Sequence, residues 1–312
     1  MAPPFITVNL PSVVLPLDIL ADVSFVLIEP YVDTTLGTVI GAPGIATVTP
    51  PSMVGIIAGA LLAIARGQAN AEVVTVSSVS ATQFTAVFAN THAATDAVNG
   101  PTFSSGMFTQ TEMLEYLYNV ENEFLLKVRP VFGNATEAIG TGPANRYYPQ
   151  PSNAIRIERI FSNGKAWMDT SQMSLDLDNP IWQTVSQSTD PRAWFQDDIN
   201  LEQWGIYPLV DIGGIVAELW CSVKETNANF SLLTPFVLPD IFTMYLKYGV
   251  LARAFAKDGE QRDATRAKYC QSRFDFGVML AQRFLKCTEA IVREMQADQE
   301  QQKFSPMAVG VK

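Results

Sequence analysis

Apolar residues recur with helical spacing in several stretches of the chain and with strand spacing in others. The stretch SVVLPLDILADVSFVLIEPY predicts a first helix over residues 16–29, which begins at Pro16 and ends before Pro30. FTQTEMLEYLYNVENEFLLKV predicts a second helix, capped by Thr109 or Thr111. The apolar face of this second helix is predicted to contain Met113, Leu114, Leu117, Val120, Phe124, Leu125 and Val128.

The C-terminal part of the chain predicts two helices joined by a charged turn. The first helix begins at Pro239-Asp240 and ends near Lys257, and KDGEQRD forms the turn. The second begins near Asp263 and continues to about Gln301, so it is much longer than its partner. We therefore expect its far half to pack on something other than its own hairpin, which suggests an oligomer. The predicted seam contains Phe242, Tyr245, Leu246, Val250, Phe255, Cys270, Phe274, Val278, Ala281, Leu285, Ile291 and Met295.

Two other segments carry strand signals. Residues 35–103 are rich in Thr, Val, Ala and Gly, and EVVTVSSVSATQFTAVF predicts strands at Glu72–Val76 and Gln83–Phe88. Residues 140–234 contain NAIRIERIFSNGKAWMDTSQ, in which Asn163-Gly164 predicts a β-hairpin. AWFQDD, LEQWGIYPLV and GGIVAELWCSVK predict three further strands, so an antiparallel meander of about five strands is expected.

The elements together predict an α+β fold. Its body would be a helical bundle, made of an N-terminal helix, a middle helix and a long C-terminal helical hairpin. An antiparallel β-rich middle and an inserted small β module would complete it. The predicted division is 1–34 for the N-terminal segment and first helix, 35–103 for the module, 104–139 with 236–303 for the bundle, 140–235 for the antiparallel region, and 304–312 for a C-terminal tail.

Charge is distributed unevenly along the 312 residues, of which 48% are hydrophobic and 17% are charged. Residues 1–106 carry one base and six acids, and residues 107–237 carry eight bases and sixteen acids. Residues 238–304 instead carry eleven bases and nine acids. The acidic body, within a net charge of −10, disfavours binding to nucleic acid phosphates. The asymmetry fits a protein whose ends meet different partners, although Lys- and Arg-rich helices alone would also produce it.

Cysteine usage and hydropathy predict neither a disulfide framework nor a membrane segment. Cys221, Cys270 and Cys287 are odd in number and have no CxxC or metal spacing. The most apolar run, MVGIIAGALLAIA at 53–65, is shorter than the roughly 20 residues needed to cross a bilayer. The N-terminal residues also lack the basic region and cleavage site of a signal peptide.

Residues that could support catalysis or ligand binding are few. His92 is the one histidine, and it could be a general base with Asp96 nearby. We favour the alternative, in which it is a polar residue in the turn after a strand. DLDNP at 176–180 offers carboxylates to calcium but lacks the glycine and distal glutamate of a calcium hand, so a solvated turn is favoured. GAPGIA and GTGPAN lack a phosphate-binding fingerprint. The five tryptophans are expected to fill sheet cores rather than stack sugars or bases. No enzyme and no cofactor are predicted.

Several motifs in order resemble one family. They are FTQTEMLEYLYNVENEFLLKV, YYPQPSNAIRIERIFSNGKAW, TSQMSLDLDNPIWQ, WFQDD, and the stretch from LPDIFTMYLKYG to GVMLAQRFL. The sequence over roughly 107–290 is similar to head-to-tail adaptor (connector) proteins of tailed bacteriophages, especially short-tailed ones. The closest local match is the Lys-Asp-Gly turn followed by Arg262, Asp263, Arg266, Ala267 and Tyr269.

The resemblance implies a structural virion protein at the head–tail junction, assembled in the host cytoplasm. Such proteins form a dodecameric ring beneath the portal, extend the DNA channel without gripping DNA, and present a platform to a tail nozzle or fibre protein. It also implies a C-terminal segment that docks on the portal. The residues expected to bind the portal here are Phe304, Met307, Val309 and Val311, with Arg262, Arg266 and Lys268 from the charged turn.

Two features depart from the family pattern. The module at 35–103 replaces a short link between the first two helices, and the last helix is longer than the pattern requires. The alternatives are another tail component, such as a nozzle or fibre-linking protein, and, from a different class, a carbohydrate-binding β module or a cell-wall hydrolase.

Overall fold

A computed structural model describes most of the chain. The described residues are 14–103, 107–129, 131–142, 146–185, 187–188, 191–197, 202–211, 213–224, 230–259 and 262–304, with the backbone alone at 131–133, 184–185, 187–188 and 285–304. The helices are α1 (Pro16–Leu27), α2 (Gln110–Val128), α3 (Gln172–Asp178), α4 (Trp182–Val185), α5 (Asp240–Thr243), α6 (Leu246–Ala256) and α7 (Ala264–Phe304).

The strands fall in the two segments that carry strand signals, with one further strand after α2. They are β1 (Tyr31–Thr35), β2 (Gly44–Val48), β3 (Leu61–Ile64), β4 (Glu72–Val79), β5 (Phe84–Phe88), β6 (Ala97–Pro101), β7 (Val131–Ile139), β8 (Tyr147–Pro149), β9 (Ala154–Ser162), β10 (Lys165–Ala166), β11 (Met168–Thr170), β12 (Gln187–Ser188), β13 (Ala193–Gln196), β14 (Gln203–Tyr207), β15 (Leu209–Val210) and β16 (Ile215–Val223). The predicted α+β class is confirmed, and the strand pairs are antiparallel except β11–β13 and β12–β15, which are parallel.

The described chain divides into two compact units. The β unit comprises residues 129–226, and the helical unit comprises residues 14–128 and 230–304. The helical unit also contains strands β1–β6, which we call the β module. The strand β7 falls within residues 131–139, which the sequence had placed with the helices.

Helix α1 begins and ends as its sequence predicts. Pro16 occupies the first turn, where no backbone donor is needed, and the Asp18 carboxylate accepts a hydrogen bond from the Leu15 amide at 3.0 Å. The helix ends at Ile28, whose φ of 60° lies in the left-handed region. The Glu29 amide then donates to the Ser24 carbonyl at 2.8 Å and closes the last turn.

Helix α2 packs against α6 and α7 through the predicted apolar face. The Glu112 amide donates to Thr109 Oγ1 at 3.1 Å, so Thr109 is the capping residue. Six of the predicted positions are buried, and Val128 is half-buried at the last turn. Gly249 of α6 allows this approach, because a Cβ there would lie 2.5 Å from Val120 and 3.0 Å from Phe274.

The single helix predicted from Asp240 to Lys257 is broken in the structure. Helix α5 ends at Thr243, and the Tyr245 amide donates to the Phe242 carbonyl in a tighter turn before α6 begins at Leu246. The predicted inward residues Phe242, Tyr245, Leu246, Val250 and Phe255 are all buried nonetheless. The break therefore changes the path of the helix and not the face that it buries.

The β module is built on one long antiparallel ladder. Residues 31–48 run alongside residues 84–101 with a constant register, from Tyr31 opposite Pro101 to Val48 opposite Phe84. The bridge between Ile40 and His92 continues this register between β1–β6 and β2–β5. The β3–β4 hairpin packs beside the ladder, which gives the strand order β1-β6-β3-β4-β5-β2. The predicted strands near 72–76 and 83–88 are thus β4 and β5.

The expected five-strand meander in the β unit is wrong. The strands form two four-stranded sheets with orders β10-β9-β16-β7 and β11-β13-β14-β8, and a short β12–β15 pair. Strand β16 pairs with both β7 and β9, which are distant in sequence. The hairpin at Asn163-Gly164 is confirmed, and both residues have the positive φ that its tight turn requires. Local patterns located the strands but could not select their partners.

Candidate assembly surfaces

The charged turn between α6 and α7 is fixed by hydrogen bonds within the turn. Asp263 caps α7, since its Oδ1 accepts from the amides of Thr265 at 3.0 Å and Arg266 at 2.9 Å. The Arg262 guanidinium lies 3.0 Å from Asp258, and both side chains are largely exposed. The described residues on both sides of 260–261 therefore make local contacts while the charges of Arg262 and Asp258 remain in contact with solvent.

The three basic residues predicted to bind a partner have different surroundings. Arg266 lies 3.3 Å from Asp263 and over the Phe255 ring, with 5.7 Å from the guanidinium carbon to the ring centroid. Lys268 is exposed on the first turns of α7. The structure brings Arg262, Arg266 and Lys268 to one end of the helical unit, and two of them are balanced by adjacent acids.

A half-buried lysine, Lys257, connects this turn to the start of α2. Lys257 Nζ donates to the Glu112 carboxylate at 2.7 Å and to the Met107 carbonyl at 2.6 Å. Burial acts to raise the pKa of Glu112, but the hydrogen bonds from Lys257 and Tyr116 outweigh it and hold the pKa below its ordinary value. Burial and then the hydrogen bond to Glu112 raise the pKa of Tyr116 to about 12. The α2–α6 contact thus depends on an ionised Glu112.

The remaining predicted docking residues lie at the end of α7. The helix continues to Phe304, whose backbone completes its last turn. Met307, Val309 and Val311 lie outside the described residues. Positions 270, 274, 278 and 281 of the predicted seam are buried, and the seam residues from 285 onward fall where only the backbone is described.

A broad apolar surface remains exposed on α5 and α7. We call it the apolar face, and it comprises Ile241, Met244, Tyr269, Phe276, Leu280 and Phe284. Its rings are held in place from below: Phe276 lies 6.3 Å from the Tyr245 ring, and Phe284 lies 6.1 Å from the Phe242 ring. A second exposed pair, Phe25 and Ile28, ends α1. The apolar periodicity of α7 did not distinguish its buried seam from this exposed face.

His92 follows β5, as predicted, but it is buried in an ionic cluster that the sequence did not indicate. Its Nε2 lies 2.6 Å from Glu72 Oε1, and its Nδ1 lies 3.0 Å from Asp96 Oδ2. Glu72 also accepts from the amides of Ala89 at 2.7 Å and Asn90 at 3.1 Å. The cluster is enclosed beside the Ile40–His92 bridge in the middle of the long ladder, so it links the halves of the module and offers no open cleft.

The other candidate residues are used in packing. Asp176 lies in α3 rather than in the expected solvated turn, and its carboxylate accepts from the Trp182 indole at 2.7 Å. Across the residues with described side chains, no group of three or more His, Cys, Asp or Glu could hold a metal ion. Burial raises the pKa of the Cys221 thiol to about 11 and also raises that of Cys270, which suits small apolar side chains.

Four of the five tryptophans fill the cores of the β unit, as predicted. They are Trp167, Trp182, Trp194 and Trp204, and each is at most 5% exposed. Trp182 packs edge-on against Phe195 with ring centroids 5.3 Å apart, and the Arg146 guanidinium lies 4.7 Å from its ring. These rings are not available for stacking on a ligand.

Comparison with known proteins gives one match. The family model described as SU10 adaptor protein matches residues 90–285, which is more than half of the chain. No curated protein matches the chain. Within the described part of the chain, none of the helices is long and apolar enough to cross a membrane. The match covers the β unit, α2, α5, α6 and the first half of α7, and it leaves most of the β module outside.

Proposed function

The chain belongs to the SU10 adaptor protein family of bacteriophage structural proteins, and we propose that it forms a dodecameric ring beneath the portal at the head–tail junction. The ring would extend the DNA channel and provide the platform for the next tail component. The observation that carries this proposal is the extent of the family match, because residues 90–285 include the β unit and the helices that pack on α2.

The helical unit suits the body of such a ring. Helices α2, α6 and α7 share a core in which Phe124 contacts both Phe242 and Phe274, with ring centroids 6.2 and 5.9 Å apart. We infer that these helices, with α1, form the bundle that lies around the channel. A net charge of −10 would let DNA pass without being held, since like charges repel.

The portal-facing surface is proposed to be the end of the chain together with the α6–α7 turn. Arg262, Arg266 and Lys268 would meet an acidic portal surface, and the apolar residues Phe304, Met307, Val309 and Val311 would add as an edge strand or fill a groove. The contacts of Arg262 with Asp258 and of Arg266 with Asp263 support the first part, because they orient two of the three bases before any partner binds.

On the side of the ring that faces away from the portal, the partner is proposed to be a tail nozzle or tail fibre protein. Residues 34–89 of the β module lie outside the family match, which suggests a role separate from that of the matched residues. The module would contact this tail protein, a neighbouring copy of the chain or the capsid. Its charged residues within 34–101 are limited to Arg66, Glu72 and Asp96 besides the buried His92, and Arg66 is paired with Asp18. An almost uncharged exterior favours a protein partner over DNA.

The mass of the purified chain, alone and mixed with its portal, tests the proposal. Light scattering should show assembly into a ring of twelve copies on the portal, and cryo-electron microscopy of the mixture should show that ring at one end of the portal. A chain truncated after Phe304 should lose portal binding while retaining its helical content. A small oligomer that does not bind the portal would contradict the adaptor ring and favour a peripheral tail or fibre-linking protein.

A further inference from the structure

Helix α7 carries two apolar stripes, and only one of them is buried among the residues that the structure describes. Cys270, Phe274 and Ala281 form the stripe buried against α2 and α6. Tyr269, Phe276, Leu280 and Phe284 follow at spacings of seven, four and four residues, which places them together on an adjacent side of the helix. A helix that is apolar on two sides is normally buried on both. The second stripe therefore fits a further contact.

The apolar face is large enough for one side of a stable protein interface. Its six side chains are between 39% and 63% exposed, and Ile241 and Tyr269 are the most exposed at 63% and 59%. With 150–250 Å² per large side chain, the exposed area is on the order of 600 Å². Stable interfaces bury roughly 600–1,000 Å² per partner, and about 600 Å² is the upper end for the largest apolar patch on a typical monomer.

The end of α1 presents another exposed apolar surface of the same unit. Phe25 is 85% exposed and Ile28 is 92% exposed, and we call this pair the α1 knob. Ile28 has φ 60° and ψ 38°, a backbone conformation that a β-branched residue rarely adopts. Glycine would occupy this position without strain. Isoleucine at this position therefore carries a conformational cost while its side chain stays 92% exposed in the described part of the chain.

The α1 knob and the apolar face lie on different helices of the helical unit. The Val14 amide, before α1, lies 3.3 Å from Asp240, and Asp22 pairs with Lys247 at 2.9 Å. Helix α1 thus runs along α5 and α6 in the same direction, and its last turn lies beyond Lys247, away from Ile241. The two surfaces of one copy are therefore available to different neighbours.

We propose that the α1 knob of one copy packs on the apolar face of the next copy. This inference rests on the proposed ring and assigns its repeating contact. Two unlike surfaces on one chain make a head-to-tail interface, and such interfaces repeat around an axis and close into rings. Phe276 packs on Tyr245 and Phe284 packs on Phe242, so these two rings of the face are already positioned before binding. This reduces the entropy lost on association.

Three variants of the full chain test the assignment by sedimentation equilibrium. Ile28→Glu places a charge on the knob, Leu280→Glu places one on the face, and Leu177→Glu is the control, exposed on α3 of the β unit. We expect each of the first two to weaken self-association about 30-fold or more, because a buried unpaired charge replaces an apolar contact. The control should associate like the original chain.

Mixing the two variants gives the sharpest outcome. Ile28→Glu retains an intact face and Leu280→Glu retains an intact knob, so an equimolar mixture should form a dimer that neither variant forms alone. A further variant, Ile28→Gly, should raise the melting temperature, since glycine tolerates the left-handed conformation, and should still weaken association. These two results separate a contact surface from a folding defect.

Several results would overturn the assignment. They are self-association unchanged by Ile28→Glu or Leu280→Glu, a mixture that yields no dimer, and an original chain that stays monomeric at all concentrations. The proposed ring is judged separately on the portal. Rings that form there with both variants would reject this contact and leave the ring in place, whereas no ring with the original chain would reject the proposed function itself.

Discussion

Gly277 of α7 lies directly against the ring of Tyr245, at the junction between α5 and α6. A Cβ atom at position 277 would overlap the Tyr245 ring, so α7 can approach α6 only because this residue is glycine. Tyr245 also contacts Phe276, the next residue along α7. The buried packing of the helical pair and the position of its exposed apolar face therefore depend on the same tyrosine.

Replacing Gly277 with alanine should destabilise the helical unit. Alanine is the better helix former, by about 1 kcal/mol, but the overlap with Tyr245 forces a shift in a packed core, and we expect a net loss of about 2 kcal/mol. Chemical denaturation followed by far-ultraviolet circular dichroism measures the change. Gly41→Ala is the matched control, since nothing lies within 4 Å of a Cβ there. Equal stability of the two variants would show that α7 has room to move.

His92→Ala should loosen the middle of the long ladder. The substitution leaves the nearly buried Glu72 and the buried Asp96 without their shared partner, and we expect it to cost about 3 kcal/mol. Hydrogen exchange of the amides at 84–101 should become faster, whereas exchange in α2 and α6 should change little. Thr95→Ala, an exposed change in the same turn, serves as the control. Unchanged exchange in His92→Ala would mean that the cluster does not support the ladder.

Glu112→Gln should weaken the contact between α2 and α6 at neutral pH. The pKa of Glu112 in the folded chain lies below its unfolded value of about 4.3. Its contribution to stability is therefore present above that value and is lost as the pH falls through the folded pKa. Melting temperatures of the two proteins should differ at pH 7 and converge below about pH 4. The exposed neighbour Glu115→Gln should match the original chain at both values, and a gap that persists in acid would contradict this account.

Reversing the three bases of the charged turn should weaken portal binding. With Arg262, Arg266 and Lys268 changed to Glu, we expect at least about a tenfold loss of affinity, and a smaller salt dependence than that of the original chain. Arg156→Glu is the control, because Arg156 is an exposed base 3.9 Å from Asp169 in the β unit. Surface plasmon resonance at two salt concentrations provides the measurement. Undiminished binding by the triple variant would discard the turn as a docking surface.

Removing most of the β module should leave the helical unit folded. Thr35 and Ala97 are opposite each other in the β1–β6 pair, so an Asn-Gly turn can replace residues 36–96 and join their ends. The shortened chain loses the Arg66–Asp18 pair and the hydrogen bonds between Gln110 and Leu61, so modest destabilisation is expected. Ring formation on the portal should persist, while attachment of the tail fibre or the next tail component should fall. Normal attachment would leave the module without the proposed role.

Local signals in the sequence determined much of the secondary structure. Pro16, Thr109 and Asn163-Gly164 fix two helix starts and one hairpin, because the physics of caps and tight turns is contained within a few residues. The apolar periodicity of α2 and α6 likewise predicts the faces that they bury. The order of the quoted motifs along the chain also predicted the protein family, and the family match covers residues 90–285.

Long-range contacts decided the rest, because their energy depends on residues far apart in the chain. The placement of β16 between β7 and β9 replaces the expected meander, and it follows from pairing across more than fifty residues. The ring of His92 meets Glu72 only when the β3–β4 hairpin packs beside the long ladder. Helix α7 is apolar on two sides, and periodicity alone cannot tell which side the chain covers. Only the packing of α7 on Tyr245 and Phe242 shows that the side with Leu280 remains exposed.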